Sequence, residues 1–123
     1  MRSLFVKVDG KYKAIVFTEI CYVEALKNYV RIHTAKKVFV VHITLKQIEG
    51  HLPTHQFCRI HKSYIIYLDN LTEFDYDSVT LGNIQLPLSS QYAPILKSKL
   101  NVVNNDKKLK LKVGITSSII LKN

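Results

Sequence analysis

Three short polar and basic groups interrupt otherwise hydrophobic stretches of this chain: Lys27-Asn28-Tyr29, Arg59 with His61-Lys62-Ser63, and Ser89-Ser90-Gln91. Lysine and arginine supply charge for phosphate oxygens, while asparagine, serine and histidine offer directional donors and acceptors that suit base edges. By composition alone the signal is weak, because any basic domain carries solvated lysines on its surface. Other chemistries lack their parts. His33, His42, His51, His55 and His61 invite a metal reading, but their spacing matches no ligand pattern and neither Cys21 nor Cys58 has a CxxC partner. Surface or hydrogen-bonded histidines are the plainer account, and no metal or other cofactor is expected. The chain has no G-x-S-x-G elbow, no glycine-rich phosphate loop and no HExxH, so no catalytic residue and no small-molecule substrate are expected. Asp69, Glu73, Asp75 and Asp77 fall in a turn-rich stretch, where solvated carboxylates are the ordinary reading.

The elements that must position these groups are mostly strands. A chain of 123 residues, 47% hydrophobic and 22% charged, is one globular domain with room for one real core. Its apolar residues lean towards Ile, Val, Tyr and Phe, side chains that suit a pleated and half-buried surface. Residues 4–8 and 12–17 read as a hairpin, because Asp9-Gly10 between them accepts the positive φ of a tight turn. Residues 20–34 read as strand with a polar break at Lys27-Asn28, and Ala35-Lys36-Lys37 turns the chain into residues 38–43. Thr44 with Gln47 fits a capping box, and Leu45, Ile48 and Leu52 share a helical face, so a short helix is predicted there, ending near Gly50. Residues 57–68, 74–81 and, after a Gly82-Asn83 turn, 84–88 read as the later strands of a meander. Ser89 or Ser90 is placed to cap a last helix with Tyr92, Ile95, Leu96 and Leu100 on one face. Residues 1–100 are thus read as the compact body and 101–123 as a basic extension, whose alternation over residues 108–113 suits an edge strand or an open tail.

Lys and Arg number 18 against nine acidic residues, a formal charge of +9 that draws in polyanions. The excess is uneven: residues 1–100 hold 13 basic and eight acidic residues, and residues 101–123 hold five and one. No window approaches the ~18 apolar residues of a membrane span, and the start Met1-Arg2-Ser3-Leu4 is not an export signal. A cytoplasmic protein with reduced thiols and no membrane partner is expected.

Three blocks in order carry a resemblance to a known family. Residues 20–34, Ile-Cys-Tyr-Val-Glu-Ala-Leu-Lys-Asn-Tyr-Val-Arg-Ile-His-Thr, are similar to the pattern Y-x-E-A-x-x-N-Y-x-x-I of the LytTR DNA-binding domains. Residues 57–66, which contain Arg59, His61, Lys62 and Ser63, resemble that family's F-x-R-x-H-[RK]-S-[YF]-[IL]-V. Residues 86–92 stand where the family has I-P-[VL]-S-R. The resemblance covers roughly residues 4–100 and implies a mainly β fold, an elongated arrangement of small antiparallel sheets with one or two short helices. It also implies loops inserted into successive major grooves of duplex DNA, an exception to the usual helix in the groove. Carried over, Asn28 and Tyr29 match one base-contacting loop, Lys62 the second and Ser90 the third, while Arg59, His61 and Ser63 surround the second contact. Two positions depart from the pattern. Ser90 stands where the family usually has Arg, and a hydroxyl lacks the bidentate fork that reads guanine. Tyr67 stands where Asn is frequent, and no DNA role is assigned to it.

The expected function is therefore a sequence-specific, duplex-DNA-binding transcription regulator that reads paired half-sites as a homodimer on DNA. For each site residue a structural reading stands beside it: Tyr29 as a packed strand residue, Lys62 as a solvated cation, Ser63 or Ser90 as a cap, Arg59 with His61 as a polar pair. The alternative function is an RNA-binding or protein-binding β module without sequence-specific DNA recognition. Single-strand readers stack bases on exposed sheet aromatics, whereas most tyrosines here alternate as core positions. Response regulators of the family place a receiver domain before the DNA-binding part. With no room for one in 123 residues, the chain is read as a stand-alone regulator or as part of a longer one.

Overall fold

Ten strands and two short helices make up residues 1–104, the residues described by the computed structural model. Of the expected basic extension, residues 101–123, the part from 105 onwards, with its alternating stretch 108–113, lies outside the described residues. The chain opens with the hairpin of β1 (Ser3–Val8) and β2 (Lys11–Val16). Asp9 and Gly10 both take positive φ at its turn, 52° and 78°, the geometry that matches the twist of two adjoining strands.

Strands β3 (Ile20–Ala25), β4 (Val30–Thr34) and β5 (Val38–Val41) follow as an antiparallel run. Helix α1 (Leu45–Glu49) starts at Thr44, whose hydroxyl accepts from the Gln47 N–H while the Gln47 side chain accepts from the Thr44 N–H. The capping box read in the sequence is thus formed in full. Strands β6 (Phe57–His61) and β7 (Tyr64–Tyr67) then complete a five-stranded sheet in the order β5-β4-β3-β7-β6. This corrects two expectations. The stretch 57–68 is two strands about a turn at Lys62-Ser63, and the chain does not meander on from β5: β7 pairs with β3, matching Tyr22 to Ile66 and Glu24 to Tyr64.

Strands β8 (Glu73–Phe74), β9 (Ser78–Leu81) and β10 (Ile84–Pro87) form a three-stranded antiparallel sheet. The stretch 74–81, read as one strand, is broken because the Asp75 carboxylate accepts hydrogen bonds from the Asp77 and Ser78 N–H groups, which turns the chain. Helix α2 (Ala93–Lys99) closes the described chain. Neither Ser89 nor Ser90 caps it through a side chain. Its N-cap is Tyr92 with no side-chain cap, and the Ser89 carbonyl accepts from the Tyr92 and Ala93 N–H groups instead. Of the expected apolar face, Leu96 is fully buried and Ile95 is 45% exposed.

The single core expected from chain length is corrected to two, because alternation along the central sheet buries both of its faces. Ile65 and Tyr67 of β7 join Val23, Val30, Ile32, the hairpin residues Leu4, Val6 and Ile15, and Leu45 and Ile48 of α1. Ile66, on the opposite face, joins Cys58 and Ile60 of β6, Val79 and Leu81 of β9, Leu86 of β10 and Leu96 of α2. The five-stranded sheet is therefore a middle layer, with the hairpin and α1 on one face and the small sheet and α2 on the other. Tyr67, the second departure from the family pattern, is a core residue 5.2 Å from the Phe57 ring. Among the described residues no helix is long and apolar enough to cross a membrane.

Candidate nucleic-acid interface

The loop between β3 and β4 and the turn between β6 and β7 meet at one end of the central sheet, because β3 and β7 are neighbours. The β3–β7 ladder ends with the Ala25 N–H donating to the Ser63 carbonyl at 2.8 Å. The first loop closes on itself through the Leu26 N–H and the Tyr29 carbonyl, also at 2.8 Å, and leaves Lys27 and Asn28 exposed. Tyr29 is half-buried, with its ring 5.9 Å from the His42 ring and the Arg31 guanidinium over it at 5.9 Å.

Arg59 builds the second turn. The ladder shifts register between Arg59 and His61, and the side chain of Arg59 reaches along the bulge. Its Nε donates to the His61 carbonyl at 3.2 Å and its Nη2 to the Lys62 carbonyl at 2.8 Å, while Nη1 lies 3.5 Å from Glu49 Oε1 on α1. The same guanidinium sits 5.7 Å from the Tyr92 ring. His61 completes the turn, its Nδ1 accepting from the Ser63 N–H at 3.1 Å, an arrangement that leaves the ring proton on Nε2. Arg59 and His61 are thus occupied in shaping the turn, and Lys62 at its tip is exposed.

The third segment lies beside the same strand, since the Ser89 N–H donates to the Ile60 carbonyl at 2.9 Å. Ser90 is exposed next to it, and the buried Ser89 Oγ has no hydrogen-bond partner among the described residues. The structure therefore brings Asn28, Tyr29, Arg59, His61, Lys62, Ser63 and Ser90 to one end of the molecule.

Between the first loop, the turn and the start of α1 runs an open cleft of about 530 Å³. Lys27, Lys46, Arg59 and Lys62 line it together with Asn28, Tyr29, His42 and Gln47, and no carboxylate does. Among the described residues Lys27, Lys46 and Lys62 form no ion pair, whereas the nearby acids are engaged: Glu49 with Arg59, Glu24 with Arg31 at 3.8 Å and His33 at 2.9 Å. Unneutralised lysines around a concave surface make a site for phosphate oxygens, and the exposed Asn28 adds amide donors and an acceptor. Sequence reasoning missed His42, Lys46 and Gln47. Their one local signal was the capping box, which fixes α1 but not what its outer side faces. Among the described residues no three His, Cys, Asp or Glu side chains gather as metal ligands would.

Comparison with known proteins places these features in a family context. Residues 10–101 match the family described as the LytTr DNA-binding domain. The chain is similar to the sensory transduction protein LytT of Bacillus anthracis, 27% identical over 108 residues, covering 83% of this chain and 44% of that protein. It is likewise similar to the LytT protein of Bacillus subtilis (strain 168), 28% identical over 100 residues, covering 76% of this chain and 42% of that one. The chain thus spans under half the length of these relatives. Among solved structures, a chain described as the LytTr DNA-binding domain of a methyl-accepting/DNA response regulator from Bacillus cereus superposes with a TM-score of 0.70. Its sequence is 18% identical, and the overlap covers 83% of this chain and 99% of the other.

Proposed function

The chain belongs to the LytTr DNA-binding domain family, and from that premise we propose that it binds duplex DNA by sequence and regulates transcription. The family is one of DNA-binding domains and not a class of enzymes. In this reading the Asn28-Tyr29 loop and the Lys62 turn enter major grooves, Ser90 makes a third and shorter contact, and Ser63 with His61 and Arg59 holds the turn in shape. Two copies sit on paired half-sites, and the chain acts as the DNA-binding part of a response regulator, as its likeness to the longer LytT proteins suggests.

The observation that carries the proposal is the cleft lined by Lys27, Lys46, Arg59 and Lys62 without a carboxylate, beside loops whose tips are free to project. Phosphate contacts there set register, and the loop tips are left to read bases. The test is selection of the purified chain against a random duplex library at near-physiological salt, followed by anisotropy titrations on the enriched duplex, a scrambled duplex and matched RNA. A motif with two spaced half-sites, bound well above the scrambled duplex, is the expected outcome. Equal weak binding to every polyanion would reduce the lysines to nonspecific charge, and a preference for RNA would move the function to the alternative class.

A further inference from the structure

We propose that the cleft along the free edge of β1 docks an extended peptide segment of a partner protein in which apolar and acidic residues alternate. Among the described residues strand β1 pairs only with β2. The Phe17 N–H donates to the Arg2 carbonyl at 2.9 Å, and the hairpin register carries that parity through Leu4, Val6 and Val8. The backbone N–H and C=O groups of Ser3, Phe5 and Lys7 therefore point away from β2, and no described residue pairs with them. An unpaired row of this kind is a template for another strand.

What lies beside the row makes it a site and not merely an edge. A cleft of about 600 Å³ runs from Met1 to Lys7, and Val41, Ile43 and Ile48 form its far wall, with Leu4 and Val6 on the near one. A strand laid on β1 would thus turn every second side chain onto apolar surface, as period-two geometry requires. Phe5 stands 66% exposed at the rim, where such a strand would cover it. The charged and titratable side chains lining the cleft are Arg2, Lys7 and His51, and no carboxylate lines it; Lys7 stands on the Ser3 and Phe5 face of β1, opposite Leu4 and Val6, so the complementary partner places acids at its alternate positions on that face. The same charges disfavour a second copy of this chain, whose β1 would bring Arg2 and Lys7 against their own kind. This cleft and the one proposed for DNA have only Ile43 in common, so the two sites are separable.

The test uses the full chain and a fluorescent peptide alternating valine and glutamate, long enough to lie along residues 3–7. Saturable binding is expected, with slowed hydrogen exchange at the Ser3, Phe5 and Lys7 amides and an unchanged affinity for duplex DNA. Methylating alternate peptide nitrogens keeps the side chains but removes the ladder, and should weaken binding by about tenfold or more. Phe5→Pro deletes one edge donor. Because that change could perturb the hairpin, the double variant Arg2→Glu/Lys7→Glu, altering only exposed side chains, should independently abolish the preference for glutamate over lysine in the peptide. Equal binding of the methylated peptide would overturn the proposal, as would peptide protection mapped to the Lys27–Lys62 cleft. Protection of the three amides in the peptide-free chain would also overturn it, assigning the edge to a second copy if it rises with protein concentration, or to residues 105–123 if deleting them removes it.

Discussion

Lys62 and Arg59 belong to one turn and divide its work, so their substitutions should fail in different ways. Lys62 is exposed at the tip, and Lys62→Ala should leave stability within about 0.5 kcal/mol of wild type. If it touches phosphate, the log–log salt slope of DNA binding becomes shallower by about one; if it reads a base, selectivity relaxes at one position. Arg59→Ala removes two hydrogen bonds to the turn carbonyls and the contact with Glu49, and should cost about 1–3 kcal/mol in thermal unfolding while blurring specificity at the position the turn is proposed to read. Equal melting of the two variants would contradict this division. The cysteines offer a second contrast. Burial pushes the Cys58 thiol up, with Lys99 opposing the effect, whereas Cys21 is only partly covered. A raised value leaves less thiolate at mildly alkaline pH, so in the native protein iodoacetamide should modify Cys21 well before Cys58, and both equally once the chain is unfolded.

Helix α1 has five residues, too few to be stable alone, and it owes its place to the capping box and to Leu45 and Ile48 in the core. Thr44→Ala should cost about 1 kcal/mol, read as a lower Tm, and should also weaken DNA binding through displacement of Lys46 and of Glu49, the brace of Arg59. Unchanged DNA affinity would detach α1 from the interface. The β8–β9 turn answers to pH. Its Asp75 carboxyl is held below the usual value, first by the Asp77 N–H and then by the Ser78 side chain, while the neighbouring Asp75 side chain holds Asp77 above it. A depressed acid contributes stability that is present above its unfolded value and lost as pH falls through its folded one. Exchange protection of the Asp77 and Ser78 amides should therefore decline only below about pH 4, and Asp75→Asn should remove that pH dependence. The same elements divide what was legible in the sequence from what was not. Asp9-Gly10, Gly82-Asn83 and the Thr44–Gln47 box are local chemistry, and each appears where it was read. The Lys62-Ser63 turn has no glycine, asparagine or proline. It is held by a side chain reaching along the bulge and by a carboxylate from another element, so no local pattern announced it. The β3–β7 pairing that joins the two loops, and the facing of Lys46 into their cleft, are likewise contacts between segments far apart in the chain.

At the scale of the molecule, one sheet serves two cores, and β7 belongs to both, through Ile65 on one face and Ile66 on the other. The loops proposed to meet DNA spring from this doubly supported sheet, while the β1 edge belongs to a hairpin that contributes to one core alone. Preorganised contact loops fit a rigid middle layer, because a site on a sheet buried from both sides loses little entropy on binding. The arrangement also predicts how the molecule comes apart. Leu96 is the buried anchor of α2, and Leu96→Ala leaves a cavity that should cost about 2–5 kcal/mol. Ile15→Val, in the hairpin on the opposite face, should cost about 0.5–1.5 kcal/mol. If the shared sheet couples the cores, each substitution lowers the exchange protection of amides in both clusters, at Ile32 and at Val79 alike, by an amount equal to its effect on global unfolding. If Leu96→Ala reduced protection at Val79 and left Ile32 untouched, the small sheet with α2 would be a separate unit, able to open while the loops on the central sheet keep their places.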